Sequence, residues 1–216
     1  MQECNLIPME ARKHVRETMI RFFKVSVISL FLLLSGTPTL FAQPQWQYEV
    51  NQYGYRQAFI EQESIVLGSS CSTRLEFNAA TRIRKNSIGY LSLEFTVSPV
   101  SSIKGFDFEY FHGVGAPVGS QKLMRITITR GGKPSVHKLS LGGWLSAEVD
   151  DGFAFNATNP TRDKQGQVRK VLDQVLQGAE NLEVAIIDGK DHSIVLSATF
   201  PLTGSKPIIE ALLKGI

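Results

Sequence analysis

The chain has 216 residues, with 23 basic and 20 acidic side chains, four histidines and two cysteines, and a net charge of +3. Five of the basic and three of the acidic residues precede Gln43, which leaves 18 against 17 in the rest of the chain. That near-neutral balance lacks the concentrated positive charge of a nucleic-acid binder, and residues 43–216 are enough for one domain with a sizeable core.

Residues 1–18 are polar and of mixed charge. The next segment is organised like a secretory signal peptide. Arg21 and Lys24 form a positive n-region, residues 25–34 an apolar h-region, Gly36 and Pro38 interrupt it, and Ala42 offers a small residue before Gln43. The apolar run is shorter than the ~20 residues that span a bilayer. The expectation is translation from Met19 rather than Met1 or Met9, which makes 1–18 a non-native extension. A signal peptide over 19–42 then leads to a single exported domain over 43–216, periplasmic or secreted. A retained N-terminal anchor is the alternative. Cys4 falls in the leader, so the exported chain holds one thiol, Cys71, and no internal disulfide.

Residues 46–50 (WQYEV) alternate apolar and polar, as a half-buried strand does, and a turn follows at 51–54. Residues 57–67 predict a second strand with a break near Glu63-Ser64, then a loop at Gly68-Ser69-Ser70. Leu75, Phe77 and Ala79 alternate with Glu76 and Asn78 in a third. The basic group Arg82, Arg84, Lys85 reads as a solvated strand edge and turn. The clearest strand is 89–97, with Leu91, Leu93, Phe95 and Val97 on one face and Ser92, Glu94 and Thr96 on the other, ended by Pro99. A strand is expected at 106–111 (FDFEYF), before a Gly- and Pro-rich loop at 112–120.

Residues 122–129 and 136–141 predict a hairpin about Gly131-Gly132, and Phe153 to Phe155 a short strand after the turn Asp150-Asp151-Gly152. The period then changes. Val168, Val171, Leu172, Val175 and Leu176 recur at helical spacing, with Gly178 as the stop and Asn159, Pro160 or Thr161 as candidate start, which gives a helix over about 162–178. Residues 182–187 and 192–200 form a hairpin around an Asp-Gly turn. Ser205 reads as the N-cap of a terminal helix over about 206–214. The sum is a mainly β chain, an antiparallel sandwich or barrel-like domain with two helices in its C-terminal half.

The run Leu139-Ser140-Leu141-Gly142-Gly143-Trp144-Leu145, then Asp150-Asp151-Gly152-Phe153, then an amphipathic helix ending at Gly178-Ala179, resembles the bacterial invasion-associated locus B family. The close of the chain, Phe200-Pro201-Leu202-Thr203-Gly204-Ser205 before Ala211-Leu212-Leu213, resembles that family's ending, and Trp46-Gln47-Tyr48 stands where it has a tryptophan-led first strand. The resemblance implies an exported β-rich domain with a link to host-cell invasion and virulence, and no established catalytic site. It transfers no functional residue and no disulfide.

Four places hold residue types suited to chemistry. Cys71 would need a nearby base to act as a nucleophile, and His112, His137 and His192 are all distant in sequence. Asp188, Asp191 and His192 could bind a metal, yet fall in a predicted turn. Asp150-Asp151 lack the spaced acids of a calcium loop. Phe106, Phe108, Tyr110, Phe111 and His112 crowd aromatics onto both faces of an expected strand and form the favoured binding site. The expectation is therefore an exported protein that binds a protein or envelope component, with no catalytic residue, metal or cofactor and no nucleic acid. An envelope hydrolase or transferase using Cys71, or a carrier of small hydrophobic ligands with helices as a lid, are the alternatives.

Overall fold

Alternating apolar and polar side chains set out ten strands among the described residues, named here in chain order: β1 (Gln47–Val50), β2 (Arg56–Val66), β3 (Ser69–Ala80), β4 (Tyr90–Ser98), β5 (Met124–Arg130), β6 (Lys133–Leu139), β7 (Gly142–Leu145), β8 (Phe153–Pro160), β9 (Asn181–Ile187) and β10 (Ile194–Pro201). Helices α1 (Gln167–Leu176) and α2 (Ser205–Leu213) flank the last hairpin. The structure is a computed structural model that describes residues 43–51, 54–80, 89–113, 122–146, 149–161 and 163–216. The extension and signal segment expected over 1–42, the basic group at 82–85, most of the 112–120 loop and part of the 51–54 turn lie outside them.

The strands form two antiparallel sheets. The larger runs β1-β2-β3-β4-β8-β7 and the smaller β10-β9-β5-β6. Each sheet ends in two unjoined edges, so the architecture is an open sandwich rather than a closed barrel. Two hairpins turn on paired positive-φ residues, Leu67-Gly68 (48° and 79°) and Gly131-Gly132 (56° and 71°), whose twist matches that of the strands they join. Pro134 and Pro201 lie in β6 and β10, both edge strands, where a missing N–H breaks no inner ladder.

Between the sheets lies one continuous core. Leu75 and Phe77 of β3, Leu93 and Phe95 of β4, and Phe153 and Phe155 of β8 face Ile126 and Ile128 of β5, Leu182 and Val184 of β9, and Phe200 of β10. Phe95 meets Phe200 edge-on across the sandwich, ring centroids 6.1 Å apart. The sheets are tied where β10 passes β1 and β2: the Trp46 indole N–H donates to Pro201 O at 2.9 Å and the Gln62 amide to Thr199 O at 2.7 Å. Helix α1 wedges between β4 and β8 on one side and β5 and β6 on the other, burying Val168, Val171, Leu172 and Val175. Helix α2 packs on α1 and on β1, β2 and β3. Both helices thus contribute apolar side chains to the core.

Several expectations need correction. β2 is continuous through Glu63-Ser64, because its full length pairs with β3, which begins at Ser69. Residues 106–111 are not a strand. The Asp107 carboxylate accepts the Tyr110 N–H at 3.2 Å and a single tight helical turn follows at Glu109–Phe111. This lets Phe106, Phe108 and Phe111 all reach the β8 rings, which a strand's alternation would forbid. Helix α1 starts at Gln167, not 162, since β8 runs on to Pro160. Asn159 still serves that start from within the strand, its Oδ1 accepting the Val168 N–H at 3.0 Å. Gly178, at φ 86°, stops the helix as expected. Ser205 is the first residue of α2, with left-handed Gly204 at the cap position and no side-chain cap.

Candidate functional site

The four sequence candidates separate in space. Cys71 is buried in the core at 1% exposure, its Sγ 3.7 Å from Ser102 Oγ, out of reach of a substrate in solution. Asp150 and Asp151 brace the end of β4: Ser98 Oγ donates to Asp150 O at 2.9 Å, and the Ser101 hydroxyl and N–H donate to the Asp151 carboxylate. The hairpin acids serve their own turn. Asp188 accepts the Lys190 N–H at 2.6 Å and Asp191 the Ser193 N–H at 2.8 Å, and this backbone bond holds the Asp191 carboxyl below the usual range. Among the described residues no three His, Cys, Asp or Glu side chains are grouped to hold a metal ion.

The aromatic group is partly core. Phe111 is buried, and Phe106, Phe108 and Tyr110 pack half-buried against the interior. Phe106 stacks on Phe111 at 5.3 Å and Phe108 leans on Phe153 at 5.1 Å. Phe106, Tyr110 and Phe111, with Leu67, Asp188, Lys190 and Ile194, line a cavity of about 300 Å³, to which Phe108 does not contribute. His112 is exposed, and its backbone lies beside Gly143 of β7.

A second concavity was not foreseen. It is a trough of about 430 Å³ on the outer face of the large sheet. Register builds it, because residues two apart on a strand share a face. One row across the sheet is Gln57, Asn78, Ser92 and Thr158; the next is Glu76, Glu94 and Asn156. Ser92 and Glu76, 2% and 3% exposed, form the floor. Tyr55 and Tyr90, ring centroids 6.1 Å apart, wall one end, and Trp144 of edge strand β7 stands at the other.

The floor is polar and held in place. Glu76 accepts from Gln57 Nε2 at 2.9 Å and from the Arg74 guanidinium, through Nε at 2.9 Å and a second, shorter contact. Arg74 also bridges to Glu61 at 2.9 Å and lies over the Phe59 ring, 3.8 Å from its centroid. Burial works against the Arg74 charge, but Glu76 and Glu61 outweigh it and the guanidinium is held charged more firmly than usual. The Asn156 amide donates to Glu94 at 3.1 Å. Burial, then the nearness of Tyr55, Glu94 and Glu76, raises the Tyr90 phenol, which therefore stays protonated and able to donate at neutral pH.

Sequence reading took Glu76, Asn78, Ser92 and Glu94 as an ordinary wet face. The sequence signal was the run of hydrogen-bonding residues on these faces, Glu76 and Asn78 of β3 and Ser92 and Glu94 of β4. Comparison with family models, with curated proteins and with solved structures returns no match.

Proposed function

We propose that the chain is an exported bacterial binding protein whose working surface is the outer face of the large sheet, and that its partner is a component of the cell envelope. Export rests on the signal-like segment at 19–42. The observation that carries the binding reading is the trough itself, a concave site where hydrogen-bonding side chains from β2, β3, β4 and β8 converge between aromatic walls. The resemblance to invasion-associated locus B proteins, and with it a role in host-cell invasion, belongs to the same proposal. Catalysis through Cys71 is disfavoured by its burial.

Co-sedimentation with isolated envelope fractions tests the binding reading. Asn78→Arg or Thr158→Arg, which put a long cation into the trough, should release the protein. Val136→Arg, at an exposed position on β6 of the other sheet, should not. Retention of the trough variants, with release by Tyr110→Ala at the aromatic cavity, would move the site to that cavity. N-terminal sequencing of the periplasmic or secreted form should begin at Gln43; a chain still carrying 19–42 would refute export with cleavage.

A further inference from the structure

We infer that the trough on the large sheet binds a neutral oligosaccharide. The inference rests on the trough being the working surface and adds the chemical class of ligand.

The chemistry of the described lining is selective. It contains no lysine, arginine or histidine, and the adjacent Arg74 is already engaged by Glu76 and Glu61, so the lining favours no phosphate, sulfate or anionic headgroup. It has no aliphatic side chain either, which removes a lipid tail. What it presents is amides (Gln57, Asn78, Asn156), hydroxyls (Ser92, Thr158, Tyr90) and two carboxylates, so donors and acceptors alternate over one surface. A sugar's hydroxyls each donate and accept, and neighbouring hydroxyls are matched by the paired oxygens of a carboxylate or the paired atoms of an amide.

The carboxylates suit the role of acceptors for sugar hydroxyls. Glu76 is paired with Arg74, which lies two residues along on the same face of β3, and Glu94 accepts from the Asn156 amide. Each is therefore a fixed acceptor, set in place before any ligand arrives.

The aromatics supply the other half of sugar recognition. A pyranose ring has apolar C–H faces as well as a polar rim. Trp144, 36% exposed on an edge strand, and the Tyr55–Tyr90 pair offer rings at opposite ends of the polar floor. From β2 to β7 the face crosses four strand spacings, about 19 Å at ~4.8 Å each, which suits a short chain of sugar rings rather than a single one.

The test is titration of the purified full-length protein with cellotetraose, maltotetraose and chitotetraose, followed by tryptophan fluorescence and calorimetry, with inorganic phosphate and anionic phosphatidylglycerol vesicles as contrasting probes. At least one tetrasaccharide should bind and the contrasting probes should not. Trp144→Ala and Asn78→Ala should each weaken binding by ~10-fold or more. The unfolding temperatures of both variants should stay near wild type, because both side chains lie outside the core. No tetrasaccharide binding at about 10 mM, tenfold above a weak ~1 mM Kd, overturns the inference, as does saccharide binding that both variants retain. If saccharides fail while envelope fractions still release the Asn78→Arg protein, the ligand class is wrong and the working surface stands. If Asn78→Arg is also retained, both fall.

Discussion

Glu76 tests the physics of the trough floor. The Glu76 side chain is 4% exposed and the Arg74 side chain 18%, so their ion pair is poorly screened. Charge-assisted hydrogen bonds contribute about 1.5–3 kcal/mol. Glu76→Gln keeps the shape and can keep the Gln57 contact, but removes the charge facing Arg74. Two effects reduce the cost. Arg74 retains Glu61 and the Phe59 ring, and the substitution relieves the opposition of Glu76 to its cross-strand neighbour Glu94, which costs roughly 0.2–1 kcal/mol. A net loss of about 1–2 kcal/mol follows. Urea unfolding monitored by tryptophan fluorescence should show a midpoint lower by roughly 0.5–1 M at ~2 kcal/mol/M. Arg74→Met should cost a similar amount, and the double variant less than the sum, with a coupling of at least ~1 kcal/mol. A wild-type midpoint for Glu76→Gln, or a double variant additive within ~0.5 kcal/mol, would refute the claim that this pair builds the floor.

Phe155→Ala should be among the most damaging core truncations, at about 3–5 kcal/mol. Its buried ring meets Phe95, Phe106, Phe108, Phe111 and Phe153, so amide exchange should also quicken through 106–111. A Cβ at Gly143 would lie 2.5 Å from the Phe153 ring and 2.8 Å from Phe111 O. Gly143→Ala should therefore cost ~1–3 kcal/mol and free the backbone of Gly113, whose N–H donates to Gly143 O; an unchanged midpoint would contradict that close approach. The Asp191 carboxyl is lowered by its bond from Ser193 N–H. Its contribution is thus complete above the unfolded carboxylate pKa near ~3.9 and fades as pH falls through the lower folded value. Asp191→Asn should reduce the acid-side loss of unfolding temperature below about pH 4 and leave its pH dependence at neutrality unchanged.

Local pattern carried much of the fold. The alternation in β4, the Gly131-Gly132 turn and the helical spacing of Val168, Val171, Leu172 and Val175 were all legible, because each depends on a few neighbouring residues and one period. Gly178 as a helix stop was legible for the same reason. The misreadings share a cause. β2 looked broken at Glu63-Ser64, yet pairing with β3 along its whole length holds it extended. The segment 106–111 alternates like a strand, but the rings of β8 draw three of its phenylalanines to one side.

The residues by themselves determined a mainly β chain with two late helices, a near-neutral domain behind a leader-like segment, and the polar and apolar faces of strands such as β4 and the end of β3. Only the tertiary structure decided which wet faces lie side by side. β4 pairs with β8 across more than 50 intervening residues, and that pairing brings Asn156 and Thr158 beside Glu94 and Ser92. A strand's own period states which way its side chains point. Its neighbour is chosen by how the whole apolar surface can be buried at once, and the trough exists only as a result of that choice.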